Sequence, residues 1–83
     1  MYSTSRYASN AARSVAITLS KKNSSFYISR GKKTISQICD FGRKKGEREL
    51  FLIYDSKTSF TIKKILINPL GEWNWDSTFN QKL

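Results

Sequence analysis

The chain has no histidine and a single cysteine, Cys39. Without histidine it lacks the usual general base near neutral pH and the commonest nitrogen ligand for metals. One cysteine cannot form a disulfide within the chain, and a reducing, cytoplasmic compartment is the setting it fits. Long apolar runs are missing as well. Nothing approaches the ~20 apolar residues that cross a bilayer. Met1 to Asn10 is too polar for a secretory h-region. Neither expected helix has the aromatic apolar side of a basic membrane anchor, so no membrane partner is expected. The glycines form neither a Walker loop nor a dinucleotide fingerprint. Asp40, Glu47, Glu49, Asp55, Glu72 and Asp76 show no pairing suited to acid–base catalysis, and no serine has an evident base. The expectation is a protein that is not an enzyme, with no catalytic residues, metal site or cofactor.

Negative charge is the scarcest commodity. Fifteen Lys and Arg face six Asp and Glu, for a net charge of +9. Such an excess calls for a polyanionic partner, and with the membrane set aside that partner is nucleic acid. The 83 residues suit one domain, and 39% hydrophobic content supplies a real core rather than a disordered tail. A chain this short buries roughly 60–65% of the surface exposed on unfolding, so modest stability is expected.

The hydrophobic period changes several times along the chain. Residues 1–5 read as a short, polar first strand. Ala12, Val15, Ala16 and Leu19 then fall on one face of a helix. Ser9 or Asn10 supplies its N-cap, and Lys21 and Lys22 suit its C-terminal dipole. Asn23-Ser24-Ser25 breaks it. Phe26 to Ser29 reads as a second strand and Arg30 to Lys33 as a loop. Thr34 opens a second helix, with Gln37 as its capping-box partner. Ile35, Ile38, Cys39 and Gly42 form the inner face of that helix. Arg43-Lys44-Lys45 ends it in a helix-stabilising role, and Gly46 follows at a position that favours φ > 0. Leu50 to Tyr54 is an unbroken apolar run suited to a strand covered on both faces. Asp55 to Ser59 is a turn, Phe60 to Asn68 a fourth strand, Pro69 to Gly71 another turn, and Glu72 to Phe79 a fifth strand. The expected fold is α/β (α+β), one small domain over residues 1–83 in the order β-α-β-α-β-β-β with a mixed sheet.

Strand–helix–strand units run parallel with right-handed crossovers in ~98% of cases. The first three strands should therefore release their following loops at one edge, the carboxyl edge where open α/β sheets bind ligands. Those loops span Ser3 to Tyr7, Arg30 to Lys33 and Asp55 to Ser59. They place Ser5, Arg6, Arg30, Gly31, Lys32, Lys33 and Lys57 as the expected RNA-binding residues, with Ser3 and Thr4 as further hydroxyl donors. Gly31 lets a ligand approach the backbone, and the second helix starts immediately after with its free amides. Arg offers a phosphate a bidentate fork and Lys a point charge. Lys63 and Lys64 are read as protection for an edge strand. Trp73 and Trp75, two apart, share a face as core or interface anchors, with stacking on bases the lesser reading. Tyr27, Phe26 and Phe51 are read as core, and Cys39 as a small buried hydrophobe.

Thr4-Ser5-Arg6 before one helix and Phe26-Tyr27-Ile28-Ser29-Arg30-Gly31-Lys32-Lys33-Thr34 before the next resemble the archaeal Brix-domain proteins of ribosome biogenesis. The basic helix ending at Gly46, the strand Leu50 to Tyr54 and Glu72-Trp73-Asn74-Trp75 continue the likeness. It covers nearly the whole chain but only the N-terminal half of a Brix domain, and Asp55 to Ser59 replaces a Gly-Asn-Pro-type turn. The resemblance implies a fold similar to the anticodon-binding domain of class II aminoacyl-tRNA synthetases. It also implies binding to ribosomal RNA or pre-rRNA during subunit assembly, in the company of ribosomal proteins. A half standing alone would expose apolar sheet surface, so a homodimer, or pairing with another half-domain, is expected. The rival reading is a basic protein-interaction module docking on an acidic protein partner, anchored by Trp73 and Trp75.

Overall fold

The two helical stretches are set by their caps and their apolar stripes. Helix α1 (Asn10–Lys22) starts where the Ser9 side chain accepts the Ala12 amide, so Ser9 rather than Asn10 is the cap. Helix α2 (Ile35–Lys44) carries the full capping box. Thr34 Oγ1 accepts the Gln37 amide at 3.1 Å, and Gln37 Oε1 accepts the Thr34 amide at 2.8 Å. Lys45 closes α2, and Gly46 beyond it has φ 80°, the left-handed conformation that glycine adopts without strain.

The protein, a computed structural model, is described here over residues 1–55 and 59–82. Strands β1 (Tyr2–Thr4), β2 (Glu49–Asp55), β3 (Ser59–Ile67) and β4 (Trp73–Lys82) form one sheet in the order β1-β2-β3-β4. β1 and β2 are parallel, and the remaining pairs are antiparallel. This mixed four-stranded sheet with two helices is the expected α+β class. Neighbouring strand residues point to opposite faces, and β2 is buried on both. Leu50 and Leu52 pack with Ile65, Ile67 and the Ile38 and Cys39 face of α2. Ile53 packs with Phe60 and the Ala12 and Ala16 stripe of α1. The helices therefore cover opposite faces. Gly42 allows α2 to approach closely, because a Cβ there would collide with Met1 and lie 3.2 Å from Ile67 Cδ1.

The structure departs from the sequence expectation at Phe26, which is exposed rather than core, and in two larger features. The second strand, Phe26 to Ser29, is reduced to one parallel bridge between Tyr2 and Tyr27, so the element order is β-α-α-β-β-β. Side chains take over the rungs a strand would have used. Tyr2 N–H donates to Phe26 O, and Ile28 N–H donates to Tyr2 O, as in a parallel ladder. The next two acceptors are then taken by the Ser3 hydroxyl, which donates to Ile28 O, and the Arg30 guanidinium, which donates to Thr4 O. The second departure concerns Lys63 and Lys64. They do not guard an edge, because β3 lies between β2 and β4. Lys64 instead meets Glu49 at 2.7 Å and Asp76 at 3.6 Å. Asp76 is placed there by the register shift at Lys64/Ile65, where Ser77 and Trp75 take the facing positions. The hydrogen bond to Glu49 leads the causes that raise the pKa of Lys64.

Candidate nucleic-acid interface

Parallel pairing of β1 with β2 brings the loop after β1, the Arg30 to Lys33 loop and the end of β2 to one rim. Three bonds tie them together there. Arg6 Nη2 donates to Lys32 O at 3.2 Å. Ser5 N–H donates to Ile53 O at 2.9 Å. Ser9 N–H donates to the Asp55 carboxylate at 3.0 Å. Arg6, Gly31, Lys32 and Lys33 are exposed, while Ser5 is half-buried. Gly31 has φ 51° and open space where a Cβ would stand. Lys33 Nζ donates to Ser29 O at 3.2 Å, across the same loop. Lys57 lies outside the described residues.

Arg30 differs from its neighbours. It is 8% exposed, with Nε donating to Lys33 O at 2.6 Å and Nη1 to Thr4 O at 3.0 Å. Burial lowers its pKa most, Tyr54 partly offsets that, and Arg6 adds to the lowering. Its guanidinium fork is thus engaged with backbone carbonyls, and it fastens the basic loop to β1. Ser3 and Thr4, expected as hydroxyl donors, are fully buried, and the Ser3 hydroxyl is spent on Ile28 O. Asp55 is the carboxylate at the rim, where it accepts the Ser9 amide, and four others are paired elsewhere. Asp40 pairs with Arg43, Glu47 with the terminal amine, and Glu49 and Asp76 with Lys64. Among the described residues, no carboxylate forms an ion pair with Arg6, Lys32 or Lys33. The rim cations remain available to an outside anion.

Two residues at this rim escaped the sequence reading. Arg13, exposed in the first turn of α1, enters the loop end of the molecule and bonds to Asn10 Oδ1 at 3.1 Å. Its position one turn inside a helix start was the available signal. Tyr7 is 95% exposed at the tip of the loop after β1. Arg43, as expected, serves structure. Its Nε donates to Asn68 O at 2.8 Å, and its Nη1 meets Asp40 at 2.6 Å. A cleft at the opposite edge is lined by Met1, Asn23, Phe26, Glu47, Arg48 and Glu49, with Glu47 paired to the terminal amine and Glu49 to Lys64. Among the described residues, no cluster of three or more Cys, Asp or Glu side chains could hold a metal, and no helix is long and apolar enough to cross a membrane.

Comparison with solved structures gives the architecture a precedent. The crystal structure of Mil, an archaeal Imp4-like protein, matches 87% of this chain with a TM-score of 0.63 and 21% identity. The fold is Imp4-like. The match occupies 45% of the other chain, so this protein spans a little under half the length of that Imp4-like structure. No family model and no curated protein sequence match the chain.

Proposed function

We propose that this protein is a non-enzymatic, cytoplasmic ribosome-assembly factor that binds ribosomal RNA or pre-rRNA through the rim. The convergence of Arg6, Lys32 and Lys33 on one edge, free of carboxylate partners among the described residues, carries the reading. The Imp4-like fold agrees with the Brix-type resemblance of the sequence, from which the ribosome-assembly role is taken. Arg6, Lys32 and Lys33 contact phosphates, joined by Ser5, the Gly31 backbone and Lys57, while Arg30 holds the loop in place. Arg13 extends the same surface.

Binding through phosphates releases counterions. With about five phosphates neutralised, log affinity should fall with log salt at a slope of roughly −3.5 to −4.5. Replacing Arg6, Lys32 and Lys33 together by Ala should flatten that slope by about 2 to 3, without unfolding the protein. An unchanged slope would remove these residues from the site.

A second reading, pairing with another copy or another half-domain, draws on the margin of the sheet. β4 is its last strand, and Leu66 and Phe79 are exposed on the α1 side at 41% and 49%. Sedimentation at tens of micromolar decides this. A strict monomer excludes self-pairing, and a nuclease-resistant complex with an acidic protein would favour the protein-docking alternative.

A further inference from the structure

On the face covered by α2, the helix screens only part of the sheet. Cross-strand pairing runs Leu52 opposite Lys63 and Ile65 opposite Trp75, with Tyr54 one pleat beyond Leu52. Tyr54, Lys63 and Trp75 therefore point the same way and form a diagonal over three strands. Lys63 Nζ stands 4.6 Å from the Tyr54 ring centre and 5.5 Å from the Trp75 ring centre. Trp75 is buttressed edge-on by Trp73 at 5.7 Å, and Trp73 is itself anchored by its indole N–H to Ser36 Oγ at 3.1 Å. Trp75 remains 51% exposed. The diagonal starts beside the rim, since Tyr54 directly precedes Asp55, the last residue of β2, whose carboxylate accepts the Ser9 amide there.

We infer that the Tyr54–Lys63–Trp75 diagonal is a stacking track for unpaired RNA bases leaving the basic rim. This deepens the RNA-binding reading above and rests on it. An aromatic face held rigidly from behind, half open to solvent and next to a cation is what a base needs for stacking while a neighbouring phosphate is neutralised. Charge selects the occupant. A molecule of charge +9, with Arg6, Lys32 and Lys33 at the head of the track, attracts a polyanion. Rings along the path favour a polyanion whose flat bases are free, so single-stranded RNA is preferred over a duplex.

The test titrates the intact chain with decauridylate, with an abasic ribose-phosphate oligomer of equal charge, and with an RNA duplex. Tryptophan emission and affinity are both followed. Decauridylate should quench the emission and bind tighter than the abasic oligomer. Trp75→Ala should weaken decauridylate binding by roughly tenfold or more while duplex affinity and its salt slope stay unchanged. Trp75→Phe keeps a ring and should retain most of the affinity, which separates stacking from misfolding. Equal binding of decauridylate and the abasic oligomer, or no effect of Trp75→Ala, would overturn the track and leave the phosphate rim standing. Failure of every RNA to bind would overturn both. Quenching by polyglutamate as strong as by RNA would assign the surface to an acidic protein. A dimer dissolved by Trp75→Ala would assign it to a second copy.

Discussion

Arg30 and Lys32 sit two positions apart in one basic loop, yet the structure gives them opposite tasks. Lys32 is exposed, whereas Arg30 is buried against two backbone carbonyls. A hydrogen-bonded charged group contributes about 1.5–3 kcal/mol, so Arg30→Met should lower unfolding stability in urea by about 2 kcal/mol. Arg30→Lys should rescue little, because one ammonium cannot reproduce the planar fork that reaches both oxygens. Lys32→Met should leave stability near wild type and weaken RNA binding. Cys39 makes the second residue-scale case. Burial pushes its thiol up to about 11 from 9.0, with Arg43 opposing and Asp40 reinforcing the shift. The folded state therefore holds the proton more tightly than the unfolded chain. Its stabilising effect is complete below about pH 9 and is lost as pH rises through about 11. The difference in stability between wild type and Cys39→Ala should shrink across that window. The native thiol should also resist thiol reagents at neutral pH until the chain unfolds.

At the scale of elements, the caps and periodicities that were legible in the sequence are those made by neighbours along the chain. The Thr34–Gln37 capping box, the Ala12 and Ala16 stripe and the two-sided burial of β2 all appear where local spacing placed them. Thr34→Ala should cost about 1 kcal/mol, read by thermal or urea unfolding. It should also loosen the loop that carries Lys32 and Lys33, lowering RNA affinity more than an equally destabilising change in α1. Phe26 to Ser29 was misread because strand formation depends on what the facing chain offers. Its apolar composition was right, but β1 has only three residues. Beyond Tyr2, the Ser3 hydroxyl and the Arg30 guanidinium occupy the acceptors that a ladder would need. Lys63 and Lys64 were misread for a related reason. Which strand forms a sheet's edge is a matter of strand order, and adjacent residues on one strand were sent to opposite faces with different partners.

For the molecule as a whole, charge is distributed unevenly. Four of the six carboxylates are held in ion pairs away from the rim, and Asp55 at the rim accepts an amide. The rim cations therefore repel one another, a cost that counterions relieve. Melting temperature should rise as sodium chloride is added at low ionic strength. The Arg6, Lys32 and Lys33 triple replacement should melt with less dependence on salt while binding RNA poorly. A melting temperature that falls with salt would mean that attractive pairs dominate and that the rim is not under electrostatic strain. The same imbalance supplies the long-range attraction that brings RNA to the surface, so stability and binding are opposed through one set of side chains.

Composition and spacing alone determined that the chain is basic, that its one cysteine is a buried hydrophobe, and that two capped helices accompany a mixed sheet. These are outcomes of net charge and of contacts between near neighbours. Only the tertiary structure decided which basic residues face solvent and which bind the chain to itself. It also decided that Trp75 stands half open beside Lys63 and Tyr54. Those assignments depend on the parallel β1–β2 pairing, which joins residues nearly fifty positions apart, and on the β3–β4 register with its shift at Lys64/Ile65. Such long-range geometry leaves no periodic trace in the order of the residues.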